Sequence, residues 1–424
     1  MKIKQRLILL SLLEFGVWGA YLTTMGAFLA KNGMASKIGL FYSVQGFVSL
    51  CMPALMGIVA DRWIQAQKLL SICHSFTGIF MAGLCIYALN AESALSFTPL
   101  FTLYICAIAF FMPTIALANS VAYTSLEKAG LDTVKSFPAI RVWGTIGFII
   151  SMWVVDLGGM QHSPYQFAWS ALLSFVMAIY ARTLPSCEIS KTGQKKTLVQ
   201  ALGLQAFSLF RNYNMAVFFI FSILLGVCLQ VTNGFANPFI SSFAQIEEYA
   251  HTFGVEHANI LISLSQISET LCFLLIPFCL SRFGIKRVML IAMLAWVFRF
   301  LFFAIGNPGE GVWLFILSMI VYGIAFDFFN ISGSLFVNNE TDKSIRSSAQ
   351  GLFMMMTNGF GATIGMLVAQ QVINKHVYNL PASATGMEII QGWQTCWYLF
   401  ALYALCISIA FAILFRYKHI PKTK

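Results

Sequence analysis

Twelve runs of about twenty apolar residues recur along this chain, each long enough to cross a ~30 Å hydrocarbon layer as a helix. In such a layer every backbone N–H and C=O must be paired, so a chain patterned this way folds as a bundle of spanning helices. The runs fall at about 7–30, 38–60, 69–89, 99–122, 140–157, 165–184, 214–240, 258–280, 288–306, 312–337, 349–374 and 393–415. Composition excludes a soluble alternative. Only 10% of residues are charged and 58% are hydrophobic, with a mean hydropathy of +0.77, whereas soluble domains carry about 25% charged residues. The start, MKIKQRLILL, has the basic head and apolar run of a signal peptide. Glu14 interrupts that run and no small-x-small cleavage site follows, so an uncleaved first span is expected.

A net charge of +10 invites a nucleic-acid reading, but the basic residues sit in short connections rather than in a stripe. Of the 26 Lys and Arg, 22 fall at the termini, in the central loop and in alternate connections, and three (Lys31, Lys37, Lys375) on the opposite side. The positive-inside rule then places both termini and the central loop in the cytoplasm. Ten cysteines are scattered without CxxC or metal spacing and read as small apolar packing residues. No metal, cofactor or nucleic-acid partner is expected.

The polar stretch 185–213 divides the chain into six-span bundles at 1–184 and 214–424. After the second span comes GIVADRWIQAQK (57–68), and at the matching place in the second half comes LSRFGIKRV (280–288). Two six-span halves, each with a basic hinge after its second span, is the organisation of major facilitator superfamily transporters. The first hinge matches that superfamily's Gly-x-x-x-Asp-Arg pattern at Gly57, Asp61 and Arg62; the second is degenerate. A glycine there lets helices approach closely, and Asp61 with Arg62 can form a cytoplasmic gate. Lys68 and Lys286 read as ordinary anchors.

Polar groups inside the bilayer are costly and normally face a partner or a cavity. Four sets share helical faces: Arg141, Thr145 and Phe148 in the fifth span, Gln230 and Asn233 in the seventh, Gln266 and Glu269 in the eighth, and Tyr322, Phe326 and Asp327 in the tenth. Convergence on one central cavity would satisfy all four. The acids can accept from a sugar diol, Arg141 can donate, the amides suit a nucleobase edge, and the rings offer faces for stacking. A sugar joined to a heterocycle uses every part of this set; a disaccharide uses much of it. A buried acid can also take up a proton from one side and release it on the other, so Asp327, Glu269 and Glu14 are the proton-coupling candidates.

At these positions the chain resembles the bacterial nucleoside:proton symporters of the major facilitator superfamily. The resemblance is carried by FPAIRVWGTIGF (137–148), LLGVCLQVTN (224–233), SQISETL (265–271), LSRFGIK (280–286), MIVYGIAFDFFNISGS (319–334) and AQGLFMMMTNGFG (349–361), and runs from WGAYLTT (18–24) to RYKH (416–419). It implies proton-driven import of purine and pyrimidine nucleosides by alternating access. Its substrate-site pattern falls on Arg141, Thr145, Phe148, Gln230, Asn233, Gln266, Glu269, Tyr322, Phe326 and Asp327. The chain departs from the family at Glu14, where members carry Gln, which puts the identity of the proton-carrying acid in question.

Other residues carry blander expectations. Trp18 and Tyr21 lie four and seven residues beyond Glu14 and either reach the cavity or anchor the first span at the lipid interface. Arg299 is expected to pair with another helix's acid. His74, His162, His251 and His257 show no ligand spacing and are expected near span ends or in loops. Gly359, Gly361 and Gly365 permit close packing or bending, and Pro53 and Pro113 mark kinks. The expected protein is a monomeric, multi-pass transporter of the bacterial inner membrane, driven by the proton gradient and not an enzyme. A proton-coupled sugar importer on the same fold is the alternative. A membrane enzyme or sensor is disfavoured, because no HExxH, nucleophile elbow, phosphate loop or signalling domain is present.

Overall fold

The computed structural model describes residues 2–91, 94–187, 204–342 and 345–417. Most of the central loop, with Lys191, Lys195 and Lys196, and the last seven residues lie outside the described residues, as does Lys343. The chain divides into two compact units, residues 1–202 and 203–424.

The first unit contains α1 (Ile3–Gly19), α2 (Met25–Lys31), α3 (Ile38–Arg62), α4 (Ala66–Leu89), α5 (Phe97–Lys128), α6 (Thr133–Leu157) and α7 (Tyr165–Thr183). The second contains α8 (Tyr213–Ser242), α9 (Ala258–Ile305), α10 (Val312–Glu340), α11 (Arg346–Met354), α12 (Ala362–Ile373) and α13 (Gly386–Leu414). Nine helices of the described residues are long and apolar enough to cross a membrane. The expected number is recovered by three local features. α9 holds two spans, α1 and α2 are one span broken at residues 20–24, and α7 is a 19-residue helix that buries Gln166, Ser170 and Ser174.

The break in the first span departs from the continuous helix expected over 7–30, and groups from other helices pack around it. Gly19 passes so close to Phe148 that a Cβ would strike the Phe148 carbonyl oxygen. The carbonyl of Leu22, left without its helical partner, accepts a hydrogen bond from the Tyr42 hydroxyl, while Thr24 Oγ1 donates to Gln166 Oε1 at 2.9 Å. Irregular backbone at this depth persists because protein groups satisfy it.

The join between the eighth and ninth spans is also shorter than the sequence implies. Helical structure runs from Ala258 to Ile305 with one non-helical residue, Gly284, at φ 74°. That left-handed conformation is open to glycine at little cost. Elsewhere, polar side chains mark helix starts: Asp132 accepts from the Lys135 amide, and Asn212 from the amides of Asn214 and Met215.

Candidate functional site

In the first unit α1 and α6 are pressed together through glycines. A Cβ at Gly147 would collide with the Leu12 backbone, and one at Gly144 would meet the Phe15 ring at 2.6 Å. This contact sets Phe148, which is buried, edge-on to Trp18 at 6.2 Å between ring centroids. It also brings the Arg141 guanidinium carbon to 3.7 Å from the Phe15 ring centroid. Cation–π geometry of this kind holds the cation partly desolvated. Thr145 lies half-buried on the same helix.

Two sequence expectations change here. Tyr21 is fully enclosed, edge-on to Tyr104 and Phe111, and Trp18 packs on Phe111 and Phe148, so neither is a lipid-interface anchor. His74 is no span-end residue: it is fully buried on α4, with Nε2 2.9 Å from Glu14 Oε2. Sequence reasoning missed this pair because its members lie 60 residues apart, with no local spacing to connect them.

In the second unit α10 lies directly against the first arm of α9. A Cβ at Gly323 would sit 2.6 Å from the Ser268 carbonyl oxygen. Ser268 Oγ donates to the Ile320 carbonyl, and Ser265 Oγ to Met319 Sδ at 3.1 Å. These serines and glycines form the packing face, and Gln266 and Glu269 stand one position further round the helix, each half-buried. Gln266 reaches Tyr322, and both Glu269 and Asp327 lie within electrostatic reach of the Tyr322 ring.

Tyr322 and Phe326 stack with centroids 5.7 Å apart and planes 5° from parallel. Asp327 is 3% exposed, and its Oδ2 has no hydrogen-bond partner among the described residues. On α8, Asn233 Nδ2 donates to Gln230 Oε1 at 3.2 Å, which ties the two amides into one unit. A narrow cleft of about 20 Å³ opens beside Phe326, lined by Leu225, Leu229, Phe329, Asn330 and Asn358 among others.

Arg299 is fully buried and, contrary to expectation, is held among the described residues by a carbonyl, a hydroxyl and aromatic rings and not by an acid. Nη1 donates to the Ser318 carbonyl at 2.6 Å and to Ser265 Oγ at 3.4 Å. Its guanidinium carbon lies 4.6 Å from the Tyr322 centroid and 5.5 Å from that of Phe303. A planar, weakly hydrated cation can be buried against rings and carbonyls where an ammonium could not.

The hinge residues are less informative. The Asp61 side chain lies outside the described residues, and Arg62 is exposed at the end of α3. A Cβ at Gly57 would meet nothing within 4 Å, so the close approach expected there is absent in this structure. It occurs at Gly361 and Gly365, which meet Gly226 and Val227 of α8 beside a π-helical segment at 355–361.

Comparison with known proteins follows the same pattern. The chain matches the nucleoside H+ symporter family over residues 1–420. It is 45% identical to the nucleoside permease NupG of Escherichia coli K12, covering 99% of this chain and 97% of that one. It is 43% identical to the xanthosine permease of the same organism, over 100% and 98% of the two chains. A crystal structure of the nucleoside transporter NupG superposes with a TM-score of 0.88 at 44% identity, covering 99% of this chain and 100% of that one.

Proposed function

The chain belongs to the nucleoside H+ symporter family, and we propose how its buried groups divide the work of moving a nucleoside together with a proton. It has the all-helical major facilitator fold and imports nucleosides with protons by alternating access.

The carrying observation is the parallel Tyr322–Phe326 pair with the orphaned Asp327 oxygen beside it. The rings present a flat apolar face to a nucleobase, and base–aromatic stacking contributes about 1–3 kcal/mol per base. Asp327, with Glu269 across from it, accepts from the ribose hydroxyls and takes up the transported proton. This buried carboxylate oxygen has no protein donor among the described residues, which leaves it open to a proton, a water or a ribose O–H. Gln230, Asn233 and Gln266 read the polar edges of the base. Arg141, Thr145 and Phe148 supply the first unit's share, one donor, one hydroxyl and one ring. Asp61 and Arg62 act at the cytoplasmic gate.

Pyrimidine and purine nucleosides are both substrates in this reading, since stacking tolerates either ring. The protein works as a monomer in the bacterial inner membrane. Its halves span 1–184 and 214–424, joined by a cytoplasmic loop over 185–213, and both termini are cytoplasmic. It needs no cofactor beyond the proton gradient and performs no chemistry on its cargo. The surplus of Lys and Arg on one side supports that orientation.

The test is uptake of labelled uridine and adenosine into proteoliposomes, with and without an inward proton gradient, for wild type and Asp327→Asn. Wild type should accumulate both, and Asp327→Asn should accumulate them less. Accumulation undiminished by the substitution would move the proton to Glu269 or Glu14. Free ribose should compete weakly; strong competition by a disaccharide would favour the sugar-importer reading.

A further inference from the structure

A second buried acid, in the first unit, is not used by the reading above. Glu14 of α1 is 1% exposed, and His74 of α4 and Thr114 of α5 are fully buried around it. His74 Nε2 lies 2.9 Å from Glu14 Oε2, and Thr114 Oγ1 lies 2.6 Å from Glu14 Oε1.

Counting protons over these contacts is informative. Thr114 Oγ1 is also 2.5 Å from the Phe111 carbonyl oxygen, and a hydroxyl has one proton to give. One of its two oxygen neighbours must therefore meet Oγ1 without that proton. A proton on Glu14 Oε1 completes the row: Glu14 O–H donates to Thr114, and Thr114 donates to Phe111. Without it, Thr114 turns to donate to the carboxylate. His74 Nδ1 is buried with no hydrogen-bond partner among the described residues. A second ring N–H there would be left unpaired, so the arrangement suits a ring protonated at Nε2 alone, donating to Oε2 in both states. The carboxyl, not the imidazole, is then the group that gains and loses the proton. Among the described residues the titratable or charged groups nearby include Cys73 beside His74 on α4, Tyr21 within the break in the first span, and Arg182 of α7, whose Nε donates to Ser71 one turn before His74.

We infer that Glu14, positioned by His74 and Thr114, is a second proton-binding site, so that two protons move with each nucleoside. The count of two rests on Asp327 and Glu269 carrying the other proton. One turn along α1, Trp18 packs on Phe111 and on Phe148. His74 also packs on Phe111, so the acid's partner is linked through Phe111 and Trp18 to a ring assigned to the cargo.

The experiment is equilibrium accumulation of uridine in proteoliposomes with the membrane potential clamped at zero and one pH unit across the membrane. Each coupled proton then supports about tenfold accumulation. Wild type should reach about 100-fold and Glu14→Gln about tenfold. Infrared difference spectra of wild type should also show a protonated-carboxyl carbonyl band that Glu14→Gln removes and Asp327→Asn leaves in place. Wild-type accumulation of only about tenfold would overturn the proposal without any variant, and so would an unchanged value in Glu14→Gln. If Asp327→Asn leaves accumulation untouched while Glu14→Gln lowers it, the assignment of Asp327 fails and that of Glu14 stands.

Discussion

The guanidinium carbon of Arg299 lies 4.6 Å from the centroid of the Tyr322 ring, deep inside the second unit. A cation held this way fixes the ring that stacks on Phe326, while its N–H groups anchor α10 through the Ser318 carbonyl. Arg299→Lys keeps a charge but loses the planar fork and its stacking. Cation–π contact contributes about 0.5–2 kcal/mol, so uridine Kd by titration calorimetry should rise roughly 3- to 30-fold. An unaltered Kd would show that Tyr322 is held by its other neighbours, Trp296 among them.

Glycines at two positions should behave oppositely. Gly323→Ala drives a methyl to within 2.6 Å of the Ser268 carbonyl oxygen and 2.8 Å of Cys272 Sγ. Overpacking of this kind costs about 1–3 kcal/mol, and it parts α9 from α10 where Gln266, Glu269 and Asp327 meet. Uptake should fall more than the amount of protein in the membrane does. Gly57→Ala enters open space and should leave thermal stability within about 0.5 kcal/mol of wild type.

The amide pair on α8 is expected to set base preference. Asn233 occupies the Gln230 carbonyl, which frees the Gln230 N–H groups for an acceptor on the base. Removing that donor with Gln230→Ala forfeits a hydrogen bond of about 1 kcal/mol, so the ratio of uridine to adenosine affinity should move by about fivefold. If neither affinity nor preference changes, the assignment of Gln230 to the base is wrong.

Tyr42→Phe tests the broken first span. Its hydroxyl is the partner of the Leu22 carbonyl, and an unpaired buried polar group costs about 1–3 kcal/mol. The melting temperature in detergent should drop. Nucleoside affinity should drop as well, because α1 carries Phe15 and Trp18 against Arg141 and Phe148.

What was legible in the sequence follows from the solvent. Hydrocarbon forces every apolar run into a helix, so span positions could be read directly, and the i, i+3, i+4 spacing showed which polar groups share a face. The break at residues 20–24 was hidden because the groups packed around it, the Phe148 backbone and Gln166 among them, lie far along the chain. The same holds for His74 with Glu14 and for Arg299 with Tyr322: periodicity describes one helix at a time, whereas these partners belong to different helices. Gly57 shows the converse. A motif glycine was assigned a packing contact, and this structure leaves its surroundings open.

Gly284 bears on how the protein is made. At 1.5 Å per residue the 48 residues of α9 would extend about 72 Å, more than twice the hydrocarbon thickness, so the helix must turn back at its one left-handed residue. The joint is a single residue, with Arg282, Lys286 and Arg287 beside it. The two arms therefore form a hairpin, with the charged residues gathered at its tip. Lys286 then locks the tip by donating to the Ala412 carbonyl near the end of α13. That bond forms only when the last span has arrived, so the chain's final helix seals a hairpin that lies more than a hundred residues earlier.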